Sequence, residues 1–476
     1  MNRSETKKMH HREKRTSKRR KAEPRRGSIL VLSTIFMIVM LGFIALALDT
    51  GYVASVKTDL KRATDAGALA GAGALVNGSD VASAEVLEFI QANAVGGRTI
   101  SADDVDITFG HWDDQTASFA ASNELPSAVR VEVALDDAPL FFARVLGRDS
   151  FDLTDESIAM YQPRDILLVL DYSGSMNDDS ELKSEWRMGV TEIDTNLQQI
   201  YTELGSPTFG SMQWDQTLSS SWSNSYIRSY LGLNSVPYPY PVGSWYEYVD
   251  YVKGSVPYDY RHHYGYKTWI NYLLHWRESS TETPALWQTS EQPITALKNS
   301  VSVFLAYLQE VDTDDRLGLS VYTASDGTSY LEHELTRDFD AVETTSRERQ
   351  AGHYHSMTNI GAGILTAREE IQEHGRTGAF KMIVLMTDGI ANRPYSSSYA
   401  RQYALDQAQD CADAGIPVVT ISLGAGADTG LMNSIANMTG GVHFNIPGGQ
   451  SVEDYEEDLK DAFREIADDR PLKLVK

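Results

Sequence analysis

The sequence predicts a doubly wound, Rossmann-like α/β domain over residues 163–476, interrupted by a large aromatic-rich insertion at about 177–292. A transmembrane helix and a small α+β region precede it. Three observations carry this expectation. Beyond residue 293, short apolar runs alternate with segments of helical period, in the manner of βαβ units. Ile166–Leu170 is an unbroken apolar run, as suits a strand covered on both faces, and it ends abruptly in Asp171, Tyr172, Ser173, Gly174 and Ser175. Ile29–Leu48 is twenty residues long and carries no charge, enough at about 1.5 Å per residue to span a hydrocarbon core of about 30 Å.

With 476 residues, two or three domains are expected, and the apolar content is ordinary for chains that bury a core. The single cysteine, Cys411, excludes an intrachain disulfide and reads as a small buried residue on a helix. Net charge is −24, unevenly placed: the first 27 residues carry +9 and the remainder −33. So acidic a body argues against nucleic acid as a partner.

Residues 1–27 form a basic tail, and 28–50 the membrane anchor. Positive charge on the amino side predicts a cytoplasmic amino terminus, hence an inner- or plasma-membrane, single-pass protein whose bulk is extracytoplasmic. A cleavable signal peptide is the alternative; the long run fits it less well, and Ala45-Leu46-Ala47 lies inside the run rather than after it. The helical pattern continues past Asp49, Gly51 and Tyr52 into AGALAGAGAL. The order Arg-Arg-Gly, apolar run, Asp-x-Gly, then an Ala-rich helix containing Thr64-Asp65-Ala66 resembles the start of TadG/TadE-like Flp pilus-assembly proteins. Pilin precursors carry a glutamate five residues after the glycine at which they are cleaved; here that position is Leu32, which favours an uncleaved anchor. Ala66, Ala70 and Ala74 either let helices approach closely or simply favour helix.

Residues 51–162 read as a small TadG-like α+β region. A helix is expected over Val81–Ala94, and strands or short mixed elements over Val105–Gly110, Ala128–Leu135, Leu140–Leu146 and Phe151–Met160. No site chemistry shows there, so spacing or assembly is the expected role.

The chemistry sits after the Ile166–Leu170 strand. A carboxylate and two hydroxyls leave the carboxyl end of a buried strand within five residues, at the edge where open α/β sheets bind ligands. Hard oxygen donors so spaced suit a hard divalent cation such as Mg²⁺. Asp171-x-Ser173-x-Ser175 resembles the metal-ion-dependent adhesion site of von Willebrand factor type A (VWA) domains. Thr358, just before a helical pattern in MTNIGAGI, and Asp388, after the apolar run Met382–Met386, complete the family's five positions in order. One departure is Ser356-Met357, where the family often has glycines before the threonine. The resemblance implies that Ser173, Ser175 and Thr358 approach Mg²⁺ or Mn²⁺ directly, with Asp171 and Asp388 acting directly or through water. It also implies an open coordination position that an acidic protein ligand fills with a carboxylate. His353 and His355 stand at most behind such a site.

The insertion holds seven of the eight tryptophans and 13 of the 24 tyrosines. These rings either build the insertion's own core, in the absence of many aliphatic residues, or present contact area to a protein or a sugar. His262, His263 and His275 have no metal-ligand spacing and read as solvated or hydrogen-bonding residues. The first long helix of the domain is delayed until Pro293. Strands are expected at Leu317–Tyr322, Met382–Met386, Val418–Leu423 and Val442–Asn445, with an antiparallel edge at Tyr330–Leu335. Helices are expected at Ile360–Glu373, Tyr399–Ala414, Met432–Asn437 and Val452–Ala467, and GAGADTG reads as a strand-to-helix turn.

The expected function is adhesion or Flp/Tad pilus or envelope assembly through a Mg²⁺-dependent site that binds acidic protein ligands. A glycan-binding envelope protein using the aromatic insertion is the alternative. A metal-dependent hydrolase ranks last, because no nucleophile–base pair stands at recognisable spacing.

Overall fold

A computed structural model describes residues 26–113, 116–123, 126–311, 314–322, 328–354 and 356–476. The basic tail up to residue 25 and His355 lie outside them. Helix α1 (Arg26–Ala74) is continuous through the apolar run and beyond it. Its first part exposes apolar side chains; its second part packs on α2 (Ser79–Ala92) and on a sheet. That sheet contains β1 (Val105–Asp113), β2 (Ser118–Ala121), β3 (Ala128–Pro139) and β4 (Ser150–Tyr161), all antiparallel. The close approach of α1 to α2 is made by Gly67 and Gly71 rather than by the alanine stripe. A Cβ on Gly67 would lie 2.6 Å from Ile90 Cγ1, and one on Gly71 2.4 Å from Val86 Cγ2. Residues Leu140–Leu146 are not a strand: they form a loop ending in a 3₁₀ turn, Ala143–Leu146, whose backbone N–H groups are drawn to Asp49 instead of to a neighbouring strand.

Strand β5 (Arg164–Asp171) opens the second sheet and is buried throughout. The insertion follows as short helical turns, then α3 (Glu185–Met188), α4 (Val190–Glu203), β6 (Gln216–Thr217), α5 (Asn224–Tyr230), α6 (Trp245–Gly254), β7 (His263–Tyr264) and α7 (Tyr266–Trp276). The remainder alternates α8 (Ile294–Val311), β8 (Arg316–Tyr322), β9 (Ser329–Thr336), α9 (Phe339–Arg347), α10 (Ile360–His374), β10 (Phe380–Thr387), α11 (Ser397–Asp413), β11 (Val418–Leu423), α12 (Thr429–Thr439), β12 (His443–Ile446) and α13 (Val452–Asp468). Helix α9 is the element that the periodicity left unassigned.

The sheet order is β12-β11-β10-β5-β8-β9, parallel except for the antiparallel edge β9. Along β5 the side chains alternate between two cores. Ile166, Leu168 and Leu170 join α8, α13 and the insertion, whereas Leu167 and Val169 join α10, α11 and α12. The insertion therefore extends one face of the domain core. Trp245, Tyr248, Tyr251, Trp269 and Tyr272 are buried in it, while Trp186 stays 82% exposed. The buried rings build the insertion's own core, one of the two expectations, and Trp186 is left at the surface.

The amino end of β5 is fixed electrostatically. Arg164, fully buried, pairs with Asp315 at 2.8 Å and donates to the carbonyls of Ile466, Ala467 and Asp469 at the end of α13. The chain then returns to the first sheet, where β13 (Leu472–Leu474) pairs antiparallel with β4.

Candidate metal centre

The strand order reverses at β5: the path from β5 goes one way to β8, and later crosses to the other side to form β10. The crevice at such a switch point is where open α/β sheets place ligands. Asp171 is the last residue of β5, and Asp388 directly follows β10.

The loop after β5 is held by its own side chains. Ser173 N–H donates to Asp171 Oδ1 at 2.9 Å, a turn stabilised from two residues away. Tyr172 is buried, its hydroxyl donating to the Ser346 carbonyl at 3.0 Å and its own carbonyl accepting from Gly352 N–H at 2.8 Å. Ser173 Oγ and Ser175 Oγ are 3.0 Å apart, and Ser175 Oγ donates to Asp388 Oδ1 at 2.7 Å. Thr387 Oγ1 donates to Asp171 Oδ2 at 2.8 Å. Four of the five predicted residues thus form one hydrogen-bonded group. The fifth, Thr358, enters the same cleft from the start of α10: its N–H donates to Asn392 Oδ1 at 2.9 Å. Ser175 Oγ and Thr358 Oγ1 lie 3.6 and 3.8 Å from the point where a Cβ on Gly389 would sit. Helix α10 reaches this position because Gly363 lets it press on the sheet, where a Cβ would lie 2.6 Å from Val169 Cγ1.

Ser175, Thr358 and Asp388 border a cleft of about 440 Å³, whose walls include Asp178, Asp179, Arg187, Ile390 and Gly426, while Asp171 and Ser173 are buried behind them. Burial pushes the Asp171 carboxyl above its usual range, against the hydrogen bonds from Ser173 and Thr387. The Asp388 carboxyl is held well above that range, first by burial and then by the charge of Asp171. Among the described residues no Lys or Arg compensates either group; Arg187, in the same cleft, pairs with Asp179. Two buried carboxylates facing one another must either keep a proton or take a cation. Two carboxylates with three hydroxyls are hard oxygen donors, so the residues present fit Mg²⁺ or Mn²⁺. Among the described residues no group of three or more His, Cys, Asp or Glu side chains is set for a metal, so this mixed set is the candidate.

Several neighbours escaped the sequence reading. Thr387 and Asn392 flank Asp388 within TDGIAN and were legible as polar neighbours. Glu278 was not, because it comes from the insertion. It stands over the motif loop: a Cβ on Gly174 would lie 2.7 Å from both Glu278 Oε1 and Ser356 Oγ. Its carboxyl is pushed up to about 8 by burial and by Glu291 and Asp178. Elsewhere, His263 Nδ1 meets Asp215 Oδ1 at 3.0 Å and His275 Nδ1 meets the Tyr251 hydroxyl at 3.3 Å, so these histidines hydrogen-bond, as expected. Residues 424–428 make the β11–α12 turn, with Asp428 capping α12.

A doubly wound sheet with hydroxyls and carboxylates gathered at its switch point defines the VWA class. The comparisons agree. Residues 287–458 match the von Willebrand factor type A domain; residues 27–74 match the Flp pilus-assembly TadE/G-like family; residues 70–159 match the Tad-like Flp pilus-assembly family Tad_C. The chain thus carries a region similar to VWA domains behind an amino-terminal segment similar to TadE/G-like proteins. The VWA match begins behind the insertion, so β5 with Asp171, Ser173 and Ser175 lies ahead of it. A comparison with curated proteins gives no match.

Among solved structures, the pilus adhesin SpaC of Lactobacillus rhamnosus GG is 12% identical, with 76% of this chain and 34% of that one covered and a TM-score of 0.34. A von Willebrand factor type A protein of Catenulispora acidiphila is 11% identical, with 75% and 48% covered and a TM-score of 0.30. An aerotolerance-related membrane protein of Bacteroides fragilis is 15% identical, with 37% and 90% covered and a TM-score of 0.29. The chain thus spans about a third of SpaC and half of the Catenulispora protein.

Proposed function

We propose that this chain is a membrane-anchored, extracytoplasmic binding protein that captures an acidic segment of a pilus-assembly or envelope partner through Mg²⁺ or Mn²⁺. The ion would be held by Asp171, Ser173, Ser175, Thr358 and Asp388. The observation that carries the reading is the pair of buried carboxylates, with no Lys or Arg paired to them among the described residues, set with three hydroxyls beside an open cleft. A divalent cation there neutralises the pair and offers a coordination position to an incoming carboxylate. Thr387 and the Ser173 N–H orient Asp171, and Ser175 orients Asp388, so the donor set is arranged before any partner arrives. Ile390 at the cleft and Trp186 beside Arg187 supply exposed apolar contact area at its rim.

The matches to pilus-assembly families over residues 27–159 support the assembly context. The uncharged run in α1 with its basic flank supports the anchor and a cytoplasmic amino end. The test is capture of a Glu- and Asp-rich peptide by the detergent-solubilised chain. Binding in Mg²⁺ that is lost in chelator and lost in Asp171→Ala is expected. The cluster of half-buried Trp222 with exposed Tyr226 and Tyr230 supports glycan binding as a second reading. Binding of oligosaccharide, unchanged by chelation, in a chain that ignores the acidic peptide would replace the first reading by the second.

A further inference from the structure

The loop between β3 and β4 is built against the apolar half of α1. Asp49 is the first charged residue after Ile29–Leu48, and it is 5% exposed. Its carboxylate accepts three successive backbone N–H groups: Phe141 at 3.0 Å, Phe142 at 3.1 Å and Ala143 at 2.6 Å. Three charge-assisted bonds to one loop make a firm clamp. Helix side chains tilt towards the amino end, so the Asp49 carboxylate, and the loop it holds, lie over the preceding turn. The burial pattern agrees: within Ile29–Leu48 only Ala45, one turn before Asp49, is half-buried, and the rest are exposed. The clamped loop therefore stands beside the last turn of the apolar run.

At that level the loop turns its apolar side chains outward. Phe141 is 53% exposed, Phe142 44% and Val145 85%, while Leu140 turns into the protein. Tyr52 packs edge-on against Phe141, with ring centroids 4.9 Å apart, and continues the aromatic patch along α1. Arg144 and Arg148 are exposed on the same loop. Aromatic rings at the end of an apolar helix, with guanidinium groups beside them, are the composition of a membrane interface.

The geometry points to a second membrane contact: the Leu140–Arg148 loop, clamped by Asp49, inserts Phe141, Phe142 and Val145 into the headgroup–acyl boundary of the bilayer that α1 crosses, with Arg144 and Arg148 on anionic headgroups. The inference rests on reading Ile29–Leu48 as a membrane span. The contact would fix the first sheet against the lipid surface, so that α1 is not a free stalk.

The test uses single spin labels on the full chain with Cys411→Ala, reconstituted into phosphatidylethanolamine–phosphatidylglycerol vesicles. Labels at Val145→Cys, Val39→Cys and Ser398→Cys are compared by collision with oxygen and with a water-soluble nickel chelate. The Val145→Cys label is expected to lose nickel collisions relative to Ser398→Cys and to gain oxygen collisions, at a depth shallower than Val39→Cys. Adding Asp49→Ala is expected to return it to water. A Val145→Cys label as open to nickel as Ser398→Cys, with Val39→Cys in the bilayer, overturns the loop contact and leaves the span standing. A Val39→Cys label open to nickel overturns the span and the loop contact together. A Val145→Cys label unmoved by Asp49→Ala overturns the clamp.

Discussion

Asp171 and Asp388 illustrate how a site shows itself through its electrostatics. Both carboxyls are raised by burial, and Asp388 further by its neighbour; Glu278 over the motif loop and Glu181 beside Lys183 are pushed up to about 8, mainly by burial. In the cation-free fold these groups keep protons that the unfolded chain releases near its ordinary carboxylate range, about pH 4. Their contribution is therefore full in acid and is lost as pH rises towards 8. Asp165 acts oppositely: despite burial, hydrogen bonds from Arg316 and Arg376 hold its carboxyl below the usual range, so its contribution is lost in stronger acid. Thermal midpoints in chelator should hence fall between about pH 5 and 8, and Glu278→Gln should flatten that fall. A midpoint that climbs over this interval would contradict the assignment. The five residues proposed to hold the ion were legible as candidates because they follow readable apolar runs or precede a helical pattern. Glu278 was not legible, because it reaches the motif loop from more than a hundred residues away in sequence.

Among the elements, those that obey a clean period were read within a few residues, and the strands of the second sheet are the clearest case. Helix α9 was missed because it is short and polar, with only Phe339, Val342 and Ser346 buried. Leu140–Leu146 was misread because its apolar residues face outward from a clamped loop rather than alternating across a sheet. The α1–α2 contact also lay outside the reading, since the small residues that matter there are Gly67 and Gly71. Gly71→Leu should therefore destabilise the first sheet's helical layer by about 1–3 kcal/mol through overpacking against Val86. Circular dichroism melts of the reconstituted chain would measure it, and an unchanged midpoint would show that the layer is looser than described.

For the whole molecule, the sequence announced an anchor, a small α+β region and a doubly wound domain, but not how the parts are tied. The insertion is continuous with one face of the domain core, and the chain's last strand returns to the first sheet, relationships that no local pattern encodes. The buried Arg164–Asp315 pair joins the start of the central strand to the end of α13 just before that return. Asp315→Ala leaves a buried guanidinium unpaired and should cost about 3–5 kcal/mol, read as a lower denaturant midpoint of the whole domain. A loss confined to β13 would show that the pair is merely local.

The proposed function stands on a divalent cation in the β5–β10 crevice. Titration calorimetry of Mg²⁺ and Mn²⁺ into the detergent-solubilised chain at pH 8, beside Asp171→Ala, tests it most directly. One site is expected in the native chain and none in the variant, with a matching rise in thermal stability with metal concentration. Equal heats in both proteins, or none in either, would contradict it.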